Sequence, residues 1–185
     1  FTSVDAGLGV KLEVARELGV PTIQIHAPHE QTRTQSAADA FLAKLQEYNI
    51  QLTCVFCGFE GESYADIPTV SRTVGLVPPE TRAARTKETK EIADFAKLLG
   101  CNTIGMHIGF VPHDKNDPLY AQIVTITREV CDYIKQNGQQ LNLETGQESA
   151  DGLLAFIGDV QRDNLFINFD PANMILYGTG EPIAA

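Results

Sequence analysis

Long apolar runs, cysteine and positive charge are all scarce in this chain of 185 residues. No stretch approaches the roughly 20 consecutive apolar residues that span a bilayer, and Phe1 opens no charged-then-apolar secretion signal. The expectation is a cytoplasmic protein with no membrane partner. Cysteine occurs four times, too rarely for a disulfide scaffold. Cys54-Val55-Phe56-Cys57 has redox or zinc spacing, but Cys101 and Cys131 form no second such pair, so all four read as small buried apolar residues. Lys and Arg number 14 against 24 Asp and Glu, for a formal charge of −10. Such a surface repels phosphodiester backbones and anionic lipids, which excludes nucleic acid as the expected partner and leaves small-molecule chemistry.

Hydrophobic residues make up 43% and charged residues 21%, with 15 Gly and 9 Pro, the composition of one ordinary globular domain over residues 1–185. The same unit recurs along it: a short β-rich run ending in a polar residue, a loop, then an amphipathic helix closed by glycine. Leu8, Leu12, Ala15 and Leu18 mark a first helix that stops at Gly19, before a strand from Thr22 to His26. A second helix is expected from about Ser36 as N-cap through Tyr48, and a strand over Gln51 to Phe56. The third helix follows Pro78-Pro79 and ends at Gly100, ahead of a strand from Thr103 to His107. Ile123, Ile126, Val130 and Ile134 mark a fourth helix, followed by a strand from Gln140 to Glu144. Ser149 caps a fifth helix, and a strand from Leu165 to Asp170 closes the series. With a trimmed strand near Phe1 this makes six strands in βαβ order, which implies a parallel sheet.

Side-chain parity separates the two architectures that accept this order. Thr22, Gln24 and His26 oppose Ile23 and Ile25; Thr103, Gly105 and His107 oppose Ile104 and Met106. Asn142 and Glu144 likewise oppose Leu141 and Leu143, and Phe166, Asn168 and Asp170 oppose Ile167 and Phe169. An open sheet covered on both faces needs strands apolar on both sides, whereas one face here is polar, as a barrel lumen requires. No G-x-G-x-x-G or G-x-x-x-x-G-K-[ST] loop supports the open-sheet alternative. The expected fold is a (β/α)8 TIM barrel represented by about six βα units. A complete barrel takes about 250 residues, so strands 7 and 8 are expected to be absent. Gly178-Thr-Gly-Glu-Pro is expected to be the loop or helix entry after the sixth strand, and the long stretch from Cys57 to Pro79 to form an active-site lid or rim loop.

Active sites of such barrels lie at the C-terminal strand ends, which here carry His26, His107, Glu144 and Asp170. These residue types suit one divalent cation, Mn, Mg, Co or Zn, and equally a ring of buried polar groups. Two carboxylates on adjacent strands repel unless a cation or proton lies between them, which favours a metal at Glu144 and Asp170.

Leu141-Asn-Leu-Glu144-Thr-Gly-Gln-Glu148 and Ile167-Asn-Phe-Asp170-Pro-Ala-Asn173-Met resemble the xylose isomerase-like sugar isomerase and epimerase family. Gly75-Leu-Val-Pro and the segment Arg82 to Thr89 extend the likeness over nearly the whole chain. The resemblance implies a barrel with one divalent metal held by Glu, Asp, His and Glu from four strands. Glu144 matches the first ligand, which often doubles as an acid/base, and Asp170 the second; the other two would come from strands 7 and 8. Glu148 and Asn173 match positions that meet substrate hydroxyls, although many relatives have His where Asn173 stands. His107 matches a recurrent strand-four His, a metal ligand in the endonuclease branch and a substrate or supporting group elsewhere; His26 is placed with the substrate-binding residues. The implied activity is isomerisation or epimerisation of a sugar or sugar phosphate by α-proton abstraction through a cis-enediolate, with Glu144 moving the proton. A keto-inositol-type dehydratase and a catalytically degenerate sugar-binding barrel are the alternatives. An abasic-site endonuclease would need more histidines than the four present. A homo-oligomer is compatible with all of these.

Overall fold

Helices and strands alternate along residues 12–183, the part of the chain that the computed structural model describes. The order is α1 (Leu12–Glu17), β1 (Thr22–His26), α2 (Gln35–Tyr48), β2 (Gln51–Cys57), α3 (Ile67–Thr73), α4 (Pro79–Leu98) and β3 (Thr103–Met106). Then come α5 (Pro118–Lys135), β4 (Gln140–Glu144), α6 (Ala150–Val160), β5 (Leu165–Asn168) and α7 (Pro171–Tyr177). The five strands pair in sequence order, every pair parallel. Each expected strand among the described residues is present. The strand expected near Phe1, and Leu8 of the first helix, lie outside them.

The sheet curls as a barrel wall does. Four strand spacings of about 4.8 Å would separate β1 from β5 by roughly 19 Å in a flat sheet. Yet Gln24 Nε2 of β1 donates to Asn168 Oδ1 of β5 at 3.3 Å. The parity expected from sequence holds: Ile23, Ile25, Ile104, Leu141 and Leu143 face the helices, at 5% exposure or less, while the residues between them face the concave side. Burial of each such side chain contributes about 1.5–3 kcal/mol, and Ile92, Ile123, Ile134 and Phe156 supply the matching helix faces. One irregularity escapes the simple alternation. The register passes from Ile23–Leu52 to Gln24–Cys54, leaving Thr53 as an extra residue whose hydroxyl donates to the Ile23 carbonyl at 2.9 Å. This bulge turns Cys54 and Phe56 to the concave side opposite Gln24 and His26.

Several local expectations need correction. Helix α2 is capped by Thr34, whose Oγ1 accepts from Ala37 N at 3.2 Å, rather than by Ser36. Asp170 lies past the end of β5 as the N-cap of α7, a helix that sequence reading did not assign. Pro171 at its first turn and left-handed Gly178 at its end bound α7, so Gly178 closes a helix where a loop or helix entry is expected. The stretch from Cys57 to Pro79 contains α3, capped by Asp66, and is fastened rather than loose. The buried Arg85 guanidinium donates to the carbonyls of Thr73, Gly75 and Glu60, and Arg82 donates to those of Leu76 and Val77. Glu62 accepts the backbone N–H groups of Phe59 and Gly75. Gly75 is obligatory there: its φ is +74°, and a Cβ would lie 2.1 Å from the Ile108 carbonyl.

All four cysteines are free and buried, as expected of apolar fillers. Among the described residues no helix is long and apolar enough to cross a membrane.

Candidate active site

Glu144 ends β4 on the concave side, and Asp170 follows β5, the neighbouring strand. Thr145 locks the two strand ends together. Its N–H donates to the Asn168 carbonyl at 3.1 Å, its hydroxyl donates to the Asp170 carbonyl at 2.9 Å, and it accepts from Asp170 N at 2.7 Å. Asp170 Oδ1 accepts from Ala172 N and Asn173 N, so the start of α7 fixes the carboxylate and the helix dipole favours its charge. Asn173 Nδ2 donates to the Thr145 carbonyl at 3.1 Å, a further strut between the strand ends.

Around this pair opens a cleft of about 900 Å³ that Gln24, His26, Phe56, Tyr64, Glu144 and Asp170 help to line. Burial, and secondarily the Asp170 carboxylate, push the Glu144 carboxyl up to about 7. A carboxyl poised near neutrality can both take and return a proton. Phe56 forms an edge-on contact with His26, ring centroids 5.5 Å apart. Its ring also lies over Gly105, where a Cβ would fall 2.5 Å from the ring carbon Cδ2. Glycine on β3 therefore makes room for an aromatic wall inside the lumen.

His107 and Glu148 sit apart from that cleft wall. His107 is 4% exposed, beneath the rings of Tyr64, Phe110 and Tyr177 at centroid distances of 6.4, 6.5 and 6.5 Å. Its Nδ1 accepts from Gly109 N at 3.1 Å, while Nε2 has no partner. Burial depresses the imidazole to about 4, so it is neutral at pH 7. Glu148, pushed up to about 7 by burial, has an unpartnered Oε1 and lines a second, smaller cavity with Ser149, Tyr120 and Phe156.

The structure thus brings His26, Glu144, Asp170 and Asn173 to one cleft and groups His107 with Glu148 beside it. Sequence reading missed Gln24, Phe56 and Tyr64 as lining residues. Strand parity pointed to Gln24, but no local signal marks Tyr64, which reaches the site on the fastened rim loop. Among the described residues no group of three or more His, Cys, Asp or Glu side chains is placed to hold a metal. The adjacent pair fits a divalent cation in donor type: Glu144 is a desolvated carboxyl whose proton affinity a neighbouring carboxylate raises, and a cation between them would relieve that repulsion.

Comparison with known proteins follows the geometry. The family profile described as xylose isomerase-like TIM barrel matches residues 12–185. No curated protein gives a significant match. Among solved structures, a xylose isomerase domain protein from Planctomyces limnophilus is 61% identical with a TM-score of 0.93, covering 96% of this chain and 64% of its own. A D-psicose 3-epimerase solved in the presence of D-fructose is 19% identical, TM-score 0.70, covering 91% and 60%. A xylose isomerase-like TIM barrel protein from Mycobacterium smegmatis in complex with magnesium is 20% identical, TM-score 0.64, covering 89% and 56%. The last two likenesses are of fold. The chain spans less than two thirds of the length of each of the three.

Proposed function

Because this chain belongs to the xylose isomerase-like TIM barrel family, we propose that it carries the proton-transfer side of a metal-dependent sugar or sugar-phosphate isomerase or epimerase. The observation that carries this reading is Glu144, a desolvated carboxyl set beside Asp170 at the strand ends of a polar-faced lumen. Deprotonated, its carboxylate removes the proton α to the substrate carbonyl; protonated, it returns one. Asp170, held by the α7 N-terminus, and Glu144 would hold the divalent cation, with magnesium one candidate since a fold relative was solved with it. When bound, such a cation supplies Lewis-acid stabilisation of the charge that develops as the α-proton leaves. Phe56 and Tyr64 shelter the reacting carbon from water, and Gln24, His26 and Asn173 offer polar contacts to hydroxyls along the cleft.

The test is α-proton exchange into deuterated water by the intact protein, purified without chelators, with D-psicose, D-tagatose and D-fructose as first substrates. Exchange with unchanged product mass is expected, and loss of water would redirect the assignment to a lyase. Glu144→Gln should lower the rate by about 10²–10⁴, the usual worth of a positioned acid/base, while leaving the far-UV circular dichroism unchanged. Wild-type rates in that variant would remove Glu144 from the chemistry.

A further inference from the structure

Helix α7 begins where the pairing of β4 with β5 would otherwise continue. The last register pair is Glu144 with Asn168, and Thr145 N donates to the Asn168 carbonyl at 3.1 Å. In a continued parallel ladder the next bond would run from Asp170 N to the Thr145 carbonyl. Two side chains replace it. Thr145 Oγ1 accepts from Asp170 N at 2.7 Å and donates to the Asp170 carbonyl at 2.9 Å, while Asn173 Nδ2 donates to the Thr145 carbonyl at 3.1 Å. The N–H and C=O groups of both Thr145 and Asp170 are bonded in this way, at strand ends where Thr145 is 7% exposed.

The two carboxylates are held differently as a result. Asp170 Oδ1 is taken up by Ala172 N and Asn173 N, at 2.8 and 3.2 Å, and Oδ2 accepts from none of the described residues. Oδ2 is therefore the Asp170 oxygen left for a cation. The Glu144 carboxylate accepts no hydrogen bond from the described residues, so its place is governed through the main chain, one residue before Thr145. Removing the Thr145 hydroxyl would strand the N–H and C=O of Asp170 without partners. Unpaired peptide groups away from water are costly, so the two strand ends would part to let water in.

We propose that Thr145 is the positioning residue of the carboxylate pair: its hydroxyl, standing in for the missing ladder bond, fixes Asp170 Oδ2 within reach of Glu144 and so makes the two one divalent-cation site. Thr145 touches neither cation nor substrate and acts only through Asp170 and the Glu144 main chain. Valine at this position keeps the branched shape and loses both hydroxyl bonds, whereas serine keeps the hydroxyl. The role rests on the metal reading above; the lock itself does not.

The test uses the intact protein, stripped with chelator, and two separate readouts. The first is calorimetric titration with Mn²⁺ and with Mg²⁺. Thr145→Val should bind both cations about 10–100-fold more weakly than wild type, the usual worth of a group that orients a metal ligand, and Thr145→Ser should restore the affinity. Thr127→Val is the control for lost stability: it removes a buried hydroxyl bond to the Ile123 carbonyl within α5 and should leave the affinity unchanged. The second readout is hydrogen exchange of the Asp170 amide without metal, slow in wild type and Thr145→Ser and faster in Thr145→Val. Should the valine variant fail to fold, Asn173→Leu, which unties the Thr145 carbonyl, is expected to weaken Mn²⁺ binding in the same direction. Wild-type affinity in the valine variant, or in Asn173→Leu where that variant stands in, overturns the positioning role and leaves the metal reading standing. Equal losses in Thr127→Val, or no rescue by serine, also overturn it. An Asp170 amide that exchanges freely in wild type shows that the lock is absent. A wild type that binds neither cation overturns the metal reading, and the role with it, even where the Asp170 amide is protected. Serine-rescued loss of cation binding in a protein that exchanges no α-proton would uphold Thr145 and refute the isomerase reading.

Discussion

Replacing Gly75 with alanine probes the crossing that sets the rim loop against the β3 exit. Two penalties combine. A Cβ in the left-handed region costs about 1–2 kcal/mol, and φ here is +74°. The new methyl would also lie 2.1 Å from the Ile108 carbonyl carbon and oxygen and a Cβ at Gly109 already has no room, so backbone must move on both sides. Overpacking of this kind adds about 1–3 kcal/mol, for a total of about 2–5 kcal/mol. Gly100 supplies the control, because its φ is +66° with nothing within 4 Å of its Cβ position. Gly100→Ala should therefore cost only the conformational part. Equilibrium urea unfolding of both variants, followed by far-UV circular dichroism, gives the difference directly. Displacing Ile108 also strains the 2.8 Å bond from Leu76 N to its carbonyl and shifts Gly109, so the His107 ring signals should move in the Gly75 variant and stay put in the Gly100 variant. Equal destabilisation of the two, within about 0.5 kcal/mol, would refute the close-approach argument.

Other consequences are equally direct. Glu144 titrates near 7 when folded, against 4.5 in the unfolded chain, so the native state binds the proton more tightly over that interval. Stability measured with chelator present should be greatest below about pH 4.5 for this group's contribution and fall as pH rises through 7; Glu144→Gln should flatten that slope, and an unaltered slope would mean the carboxyl is not desolvated. Asp170→Asn separates charge from structure: asparagine caps a helix about as well as aspartate, so α7 should persist while metal affinity drops by tenfold or more in a calorimetric titration. Unchanged affinity would exclude Asp170 as a ligand.

Much of the site was legible along the chain because a strand alternates faces with period two. That rule alone put Gln24, His26, His107 and Glu144 on the polar side and Ile23, Ile104 and Leu143 on the buried side. Helix ends were readable where a cap lies in an unambiguous position, as at Ser149, and misread where two hydroxyls compete, as at Thr34 and Ser36. Asp170 was placed by its motif but mistaken for a strand residue, because the Pro-led turn of helix after it is too short to show periodicity.

What the sequence determined by itself was therefore the local grammar: alternating strands and helices, the parallel order, the polar lumen, and the carboxylates at adjacent strand ends. What only the tertiary structure decided depends on contacts between distant segments. Arg85 fastens a loop some 25 residues away in sequence, at Glu60, and so brings Tyr64 over the site. The Gly109 N–H fixes which nitrogen of His107 carries its hydrogen, and Gly109 is itself held by the rim loop. Burial by the whole fold sets the proton affinity of Glu144. Periodicity is a property of neighbours along the chain, whereas desolvation, tautomer and loop position are set by residues that meet only after the sheet has curled.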